Sequence, residues 1–353
     1  MRKHIWQFLI LLSGLQFQSQ LLSGEERPQS EAAEDRARRE SAAAIPEANE
    51  NCFVVMTFNV GTTLGLRHDE GPSDGYTSDE AKISDRWYGN GLSWRRAITA
   101  VRETIEDVDP DIVAFQEIFD CLECKQIPVE KRKGFVCEDW LPGNPNVARL
   151  VLGKEYQIAY HPGKRSKCLA VHRRFGTLRG CKGDDCENAL DGYPIKGCGS
   201  GARVARAFVE RSSGQTLTVI SLHGTSGLSP EDQQCRVQQV ERIFVDFGDG
   251  KPGVRGDQNL ILGDFNTDPG RARAVDASAT RWIDFVSNGK PFYFISKVGA
   301  DAPRAYRGFA DIDHIVTDVF QGSCRYPGVG EQSPPVWEGV YFDHVPVICT
   351  LSD

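Results

Sequence analysis

The pattern of apolar and polar positions predicts a strand, a helix and a second strand at the start of the globular part of the chain. Residues 53–58 are apolar at all but one position, which is typical of a buried strand. A helix is predicted to begin at Ser93, a favoured N-cap residue, and to end at Asp109 and Pro110. Its apolar positions recur at helical spacing, and they are Trp94, Ala97, Ile98, Val101 and Ile105. A further apolar run at residues 112–115 predicts the second strand.

The rest of the chain predicts more strands, joined both by hairpins and by helices. The candidate strands lie at residues 156–160, 169–172, 203–210, 216–222, 259–262, 312–316 and 345–351. Residues 212–214 read Ser-Ser-Gly, a turn signal that predicts a hairpin between two of these strands. Ser229 and Pro230 open a helix with the apolar face Val237, Val240, Ile243 and Phe244. This mixture predicts an α/β fold with two mixed sheets packed face to face and helices outside, a four-layer α/β/β/α sandwich.

The N-terminal segments differ in character from the globular part. A basic start at Arg2 and Lys3 precedes an apolar run at residues 5–12, so residues 1–24 are predicted to be a signal peptide. The alternative is a buried N-terminal helix. Residues 25–51 are rich in Glu, Ala, Arg and Ser without apolar periodicity, which predicts a disordered linker. The globular domain is therefore expected to span residues 52–353.

The cysteines and the charge limit the classes of protein to consider. The 353-residue chain has 11 cysteines, all from Cys52 onward, which fits the oxidising environment of a secreted or periplasmic protein. Cys121, Cys124, Cys137, Cys181 and Cys186 allow a zinc site as an alternative, but they complete no known spacing, so we expect disulfides. The net charge of −8 argues against a polyanion binder held by overall charge. A metal ion and a local arginine cluster could offset that charge.

Polar residues stand at the ends of apolar strands at several separated places. They are Asn59, Gln116, Glu117, His223, Asp264, Asn266, Asp343 and His344. Each one alone is most simply a turn residue, because Asn and Asp commonly terminate strands. Collected in one site, their carboxylates, carboxamides and imidazoles are what hydrolysis of a phosphodiester with a hard cation such as Mg²⁺ requires.

The ordered motifs around these residues resemble those of the endonuclease/exonuclease/phosphatase superfamily. The motifs are Thr57-Phe58-Asn59, Gln116-Glu117, Ser221-Leu222-His223, Gly263-Asp264-Phe265-Asn266, Asp313-His314-Ile315 and Asp343-His344-Val345-Pro346-Val347. They extend from Cys52 to the C terminus in the order that the family has. The resemblance implies the four-layer sandwich of the deoxyribonuclease I-like fold and an activity that depends on Mg²⁺, Mn²⁺ or Ca²⁺.

The resemblance also implies a role for each matching side chain. Glu117 and Asn59 would hold the metal ion, with Asp343 sharing in it. Asp264 and Asn266 would position or deprotonate the attacking water.

The remaining matches would transfer protons and contact the phosphate. Asp313 would pair with His344, whose imidazole would contact the scissile phosphate or act as the base. His223 would protonate the leaving oxygen. Arg203 resembles the phosphate-binding arginine of the family, and Arg206 is a second candidate. For either arginine, the alternative is a strand residue that faces solvent.

Three features depart from the deoxyribonuclease I-like branch of the family. Phe119 stands where that branch has an arginine that enters the DNA minor groove. The tyrosine and glutamate that support its general-acid histidine have no match in residues 163–168, Gly-Lys-Arg-Ser-Lys-Cys. An acidic insertion at residues 66–92 is either solvated surface or a border of the site that shapes substrate choice.

These observations predict a secreted, divalent-metal-dependent phosphodiesterase, with nucleic acid as the substrate and endonuclease activity. The alternatives are a sphingomyelinase-like enzyme acting on phospholipid and a catalytically inactive binding protein on the same fold. A nuclease is favoured because no long aromatic hairpin or amphipathic helix suited to a membrane surface is apparent. No stable protein partner is implied. Because the family fold places the terminal strands side by side, we also expect Cys52 and Cys349 to form a disulfide.

Overall fold

The structure is a computed structural model, and it describes residues 52–62, 75–249, 252–329, 336 and 341–353. The predicted signal peptide and linker, residues 1–51, lie outside the described residues, as does the part of the acidic insertion before residue 75. Among the described helices, none combines the length and the apolar character needed to cross a membrane.

The described residues form fourteen strands and five α-helices. The strands are β1 (Cys52–Asn59), β2 (Ile112–Gln116), β3 (Tyr156–His161), β4 (Lys164–His172), β5 (Gly176–Leu178), β6 (Asp185–Cys186), β7 (Asp191–Tyr193), β8 (Val204–Arg211), β9 (Thr216–His223), β10 (Asn259–Asp264), β11 (Tyr293–Phe294), β12 (Asp313–Thr317), β13 (Gln321–Arg325) and β14 (Val347–Ser352). The helices are α1 (Ser78–Ile83), α2 (Arg95–Val108), α3 (Val147–Leu152), α4 (Pro230–Phe244) and α5 (Ala277–Phe285). Short 3₁₀ turns follow β2, and one π-turn follows α1.

The strands make two mixed sheets of seven strands each. The first sheet has the order β13-β14-β1-β2-β4-β3-β6, with β1 and β2 parallel and β14 and β4 antiparallel to them. The second has the order β11-β12-β10-β9-β8-β5, and β7 pairs with β8. In it β9 and β10 are parallel, so their C-terminal ends lie at the same edge.

The two sheets pack face to face because each buries one face against the other. Side chains alternate along a strand, so Val55 and Leu169 of the first sheet point inward with Val219 and Leu262 of the second. The outer face of the first sheet packs on α2 and α3, and that of the second packs on α4 and α5. This is the four-layer α/β/β/α sandwich predicted from the sequence.

Several element boundaries differ from the sequence prediction. Helix α2 begins at Arg95, and its N-cap is Trp94, which makes no capping side-chain hydrogen bond, rather than Ser93. Strand β4 begins at Lys164 instead of residue 169, because pairing with β2 continues to Lys167 and pairing with β3 continues to Lys164, through residues without apolar alternation. Helix α4 begins as predicted, with Ser229 and Asp232 forming a reciprocal capping box.

The described part of the acidic insertion is anchored by aromatic residues. Tyr76 and Tyr88 are buried, and the ring of Tyr76 lies 4.7 Å from that of Tyr341. Helix α1 has no buried residue, and Asp79 points into solvent. This part of the insertion therefore has an apolar base and an acidic outer surface.

Four disulfides form among the eleven cysteines. They are Cys124–Cys137, Cys181–Cys186, Cys198–Cys235 and Cys324–Cys349. Disulfides rather than zinc ligation account for Cys124, Cys137, Cys181 and Cys186, while Cys121 is an unpaired, buried thiol.

The expected Cys52–Cys349 pair is wrong, although β1 and β14 do lie side by side. In their register Cys349 stands opposite Val55, and Cys52 stands opposite Ser352. Cys349 instead faces Cys324 directly across the β13–β14 pair. Cys52 is an exposed, unpaired thiol.

Removing the Cys324–Cys349 bridge should lower stability because it ties β14 to the edge strand β13. We expect the double serine variant to lose about 2–5 kcal/mol of unfolding free energy in a urea titration. The matched control is Cys52→Ser, which removes an exposed free thiol and should change the unfolding free energy by less than about 0.5 kcal/mol. Peptide mapping without reduction that found Cys52 linked to Cys349 would contradict the assignment.

Candidate active site

Polar side chains replace the apolar inner layer at one end of the sandwich. Asn59 and Gln116 are inward-facing register partners at the ends of β1 and β2. On the second sheet, Asp264 at the end of β10 stands between His223 of β9 and Asp313 of β12. Asn59 Nδ2 donates a hydrogen bond to Asp264 Oδ2 at 3.1 Å, which joins the two sheets.

Glu117 is placed at this end by a strained turn. It directly follows β2 and has φ 60°, a left-handed conformation that a non-glycine residue adopts at a cost. Asn59 Nδ2 lies 3.4 Å from Glu117 Oε1. The Glu117 side chain remains 36% exposed, so its carboxylate is accessible from solvent. Gly61 leaves room for it, since a Cβ at residue 61 would lie 2.3 Å from Glu117 Oε2.

Asp264 and Asn266 form a rigid unit after β10. The backbone N–H of Asn266 donates to Asp264 Oδ1 at 2.7 Å, and its Nδ2 donates to Oδ2 at 2.8 Å. Asn266 has φ 52°, a second left-handed residue in the site. Burial and the charge of Asp313 raise the pKa of Asp264 to about 7, against the opposing effect of His344.

His344 is bound to a buried carboxylate. Its Nδ1 donates to Asp313 Oδ2 at 2.6 Å, and its Nε2 lies 3.9 Å from Asp343 Oδ1. Burial alone would lower the pKa of His344, but Asp313, Asp264 and Asp343 together raise it to about 10. Asp343 also lies 3.6 Å from Arg307.

His223 lies close to two carboxylates without bonding to either. Its Nε2 is 3.6 Å from both Glu117 Oε1 and Asp264 Oδ2, beyond hydrogen-bond distance, and its Nδ1 has no partner among the described residues. Burial lowers its pKa well below the ordinary value, and the positive charges of Lys167 and Arg203 add to this. These effects favour the neutral imidazole of His223.

The two candidate arginines lie on opposite faces of the second sheet. Arg203 reaches the site, and its Nη1 and Nε donate to the carbonyls of Gly224 and Cys198, both at 2.9 Å. Arg206 points to the outer face, where its Nη2 donates to Asp191 at 2.6 Å. Arg203 directly precedes β8 and its carbonyl accepts a hydrogen bond from the His223 backbone, whereas the side chain of Arg206 within β8 faces outward, so the structure does not bring Arg206 to the site.

Two inward-facing residues at the site were not assigned from the sequence. Lys167 stands opposite Gln116 in the β2–β4 pair and is buried. His161 Nε2 lies 2.9 Å from Ser221 Oγ, and its Nδ1 lies 3.1 Å from the carbonyl oxygen of Ala202. The sequence did contain a signal for Lys167: it lies two residues before Leu169, so in an extended strand both side chains face the same side of the sheet.

The oxygen-rich end of the sandwich has the chemistry of a cation site. Ligand atoms of Asp264, Asp313 and His344 lie within 4.8 Å of one another. Partial burial and the charge of Asp343 also raise the pKa of Glu117, so these acidic groups destabilise one another when ionised. A divalent cation would relieve that repulsion, and its preferred ligands are oxygens such as these.

A cavity of about 520 Å³ opens beside His344. Arg304 and Arg307 line it together with Asp343. Phe309 lies on the neighbouring turn and is 77% exposed. Two arginines and one aspartate therefore line the cavity beside His344, and an exposed aromatic ring follows its lining residue Gly308 in the chain.

No family profile matches the sequence, and no curated protein matches it. Solved structures do match. A humanized TDP2 from D. rerio with 14 mutations is 13% identical with a TM-score of 0.48, and the match covers 86% of this chain and 99% of that one.

Two further matches are similarly distant in sequence. The human Nocturnin catalytic domain with bound sulfate is 14% identical with a TM-score of 0.44, covering 87% of this chain and 95% of that one. An endonuclease/exonuclease/phosphatase family protein from Bacteroides thetaiotaomicron is 13% identical with a TM-score of 0.42, covering 85% and 94%. At such identities and TM-scores, nothing about the activity of this chain follows from these likenesses. The described chain itself has the fold that its resemblance to the endonuclease/exonuclease/phosphatase superfamily implies.

Proposed function

We propose that this protein is a secreted, divalent-metal-dependent phosphodiesterase that acts as a nuclease. The observation that carries the proposal is the hydrogen bond from Asn59 to Asp264, because it brings the ends of both sheets together. Glu117 from one sheet and the His344–Asp313 pair from the other then border the same space. A metal-binding group and proton-transferring groups in one place suit hydrolysis of a phosphodiester.

Glu117 and Asn59 would hold the metal ion, with Asp343 sharing in it. The solvent-accessible carboxylate of Glu117 supports this choice over the Asp264, Asp313 and His344 group, because the hydrogen bond between Asp313 and His344 already occupies two ligand atoms. Oxygen ligands favour Mg²⁺, and Mn²⁺ or Ca²⁺ have the same preference. When bound, such an ion neutralises charge on the phosphate and lowers the pKa of water.

Asp264 and Asn266 would position the attacking water. Asn266 holds both oxygens of Asp264 in place, which fixes the carboxylate that accepts the proton of the water. A carboxylate whose pKa lies near 7 is a better base near neutrality than an ordinary aspartate.

His344 and Arg203 would contact the scissile phosphate. Asp313 accepts the Nδ1 proton of His344, which leaves Nε2 available to the substrate. The carbonyls of Gly224 and Cys198 fix the Arg203 guanidinium, so it is oriented before the substrate binds. A forked guanidinium suits a phosphodiester.

His223 would donate a proton to the leaving oxygen once substrate is bound. Besides burial, the nearby cations Lys167 and Arg203 keep the ligand-free imidazole neutral. An anionic phosphodiester offsets those charges and raises the pKa of His223 again. His223 would thus become protonated when the substrate that carries the leaving group is bound.

Nucleic acid is the proposed substrate because of the groove beside His344. Arg304 and Arg307 offer charge for a phosphate backbone, and the exposed ring of Phe309 offers a surface on which a base can stack. The buried Phe119 removes one means of holding duplex DNA, since an arginine for the minor groove is absent at that position. The four disulfides support the proposed secreted or periplasmic location.

A substrate panel tests the proposal. Purified protein with Mg²⁺, Mn²⁺ or Ca²⁺ should cleave plasmid DNA or RNA and bis-p-nitrophenyl phosphate, and excess EDTA should abolish the cleavage. If sphingomyelin were the one substrate cleaved, the nuclease hypothesis would be rejected and the phospholipid phosphodiesterase hypothesis supported. Activity that is undiminished in EDTA would reject the metal-dependent mechanism.

Glu117→Gln should weaken metal binding, because it removes the charged ligand that solvent reaches. We expect the Mg²⁺ concentration for half-maximal activity to rise by at least about tenfold. Glu123→Gln, which neutralises an exposed carboxylate six residues away, is the matched control and should leave it unchanged. If both variants need the same Mg²⁺ concentration for half-maximal activity, the assignment of Glu117 as a metal ligand is wrong.

Gly61→Ala should reproduce part of the Glu117→Gln defect without changing any charge. Its Cβ would collide with the Glu117 carboxylate, so we expect weaker Mg²⁺ binding in calorimetry. At Gly183 an added Cβ meets nothing within 4 Å, so Gly183→Ala is the control. Wild-type Mg²⁺ affinity in Gly61→Ala would show that Glu117 has room to move aside.

His223→Ala and His344→Ala should separate the two proposed roles. Each should lose about 10²–10⁴-fold in rate on a nucleic acid while remaining folded. A p-nitrophenyl ester has a leaving group that hardly needs protonation, so it should rescue His223→Ala far more than His344→Ala. If both variants respond equally to leaving-group quality, the division of roles is wrong.

A further inference from the structure

A buried lysine faces the candidate active site without a partner. Lys167 lies in β4, on the inner face that also carries Leu169 and Val171, and its side chain is only 2% exposed. It stands opposite Gln116, the residue before Glu117. The end of β4 therefore delivers an amine to the same edge as the catalytic groups.

Among the described residues the Lys167 amine makes no hydrogen bond or ion pair, although its nitrogen is not one of the fully enclosed polar atoms. Burying an ammonium without such a partner is costly, and lysines at protein surfaces normally extend the amine into water instead. Burial lowers its pKa to about 7, and the charges of Arg203 and Lys164 add to that effect. The residue is thus unfavourable for stability where it stands.

The surroundings of Lys167 indicate what would compensate that cost. Lys167 and Arg203 both act electrostatically on the buried His223, and Lys167 and Glu117 act on each other. Arg203 is held beside His223, because its Nη1 donates to the carbonyls of His223 and Gly224. An anion bound beside His223 would therefore be attracted by both cations.

We propose that Lys167 is a substrate-binding residue that donates a hydrogen bond to a non-bridging oxygen of the scissile phosphate, next to Arg203. This inference rests on the proposed function, since it assigns the ligand of the same site. Among the described residues the ammonium has no partner, and the phosphate would supply one.

The test variant is Lys167→Met, which keeps the length of the side chain and removes the charge. Binding of inorganic phosphate to the protein in saturating Mg²⁺, measured by calorimetry, should weaken by about ten- to hundredfold. Lys167→Arg retains a donor and should recover part of the affinity. Lys154→Met, an exposed lysine before the far end of β3, should bind phosphate as the wild type does.

Two further measurements separate substrate binding from a structural role. Because the buried amine has no partner, Lys167→Met should melt at the same temperature as the wild type or higher. Its Mg²⁺ affinity should not fall, since the substitution removes a cation near Glu117. A lower melting temperature together with unchanged phosphate affinity would assign Lys167 to the fold and overturn the proposal.

The outcomes also distinguish this proposal from the proposed function. If the wild type cleaves phosphodiesters and Lys167→Met binds phosphate within about twofold of it, only the role of Lys167 is wrong. If the wild type cleaves none of the panel yet binds phosphate in a Lys167-dependent way, the phosphate contact stands and the catalytic proposal fails. Should Lys167→Met not fold, Lys167→Gln and Lys167→Arg, compared with each other, isolate the charge.

Discussion

Two sheets that face each other leave one layer between them, and every strand contributes alternate residues to it. Along most of the sandwich these inward positions are apolar and hold the sheets together. At one end the same alternation continues through Asn59, Lys167, Arg203, Asp264 and Asp313, so polar groups from both sheets meet. The site therefore depends on the register of the strands, and a slip by one residue would turn these side chains to the outer faces.

Collecting these groups in a buried place opposes stability. Burial, with a smaller contribution from Asp313, raises the pKa values of Asp264 and Asp343, while Glu117 and Asn266 adopt left-handed backbone conformations. The apolar layer and the disulfides offset such costs. The Cys198 carbonyl accepts a hydrogen bond from Arg203, and the Cys198–Cys235 disulfide links Cys198 to helix α4. A bound cation and a phosphate would relieve the remaining repulsion, which couples the stability of the site to its ligands.

The surroundings of the site set this chain apart within the fold. Phe119 packs its ring 4.9 Å from that of Tyr88 and helps to bury the base of the insertion, so its position serves the core instead of a DNA groove. The positive charge lies elsewhere, at Arg304 and Arg307 in the cavity beside His344. Substrate selection is therefore expected to come from that groove and from the inner cations rather than from an arginine after Glu117.

The sequence by itself determined the main strands, helix α4 and the ordered motifs, because apolar alternation and capping residues act locally. It also indicated that strand-end residues such as Asn59 and Asp264 share one site. Only the tertiary structure decided that Arg206 faces away, that Cys349 pairs with Cys324, and that Lys167 lies buried at the site. These outcomes depend on strand register and on contacts between residues far apart in the chain, which no local pattern specifies. The charge states of the two histidines depend likewise on neighbours that only the packing of the two sheets brings close.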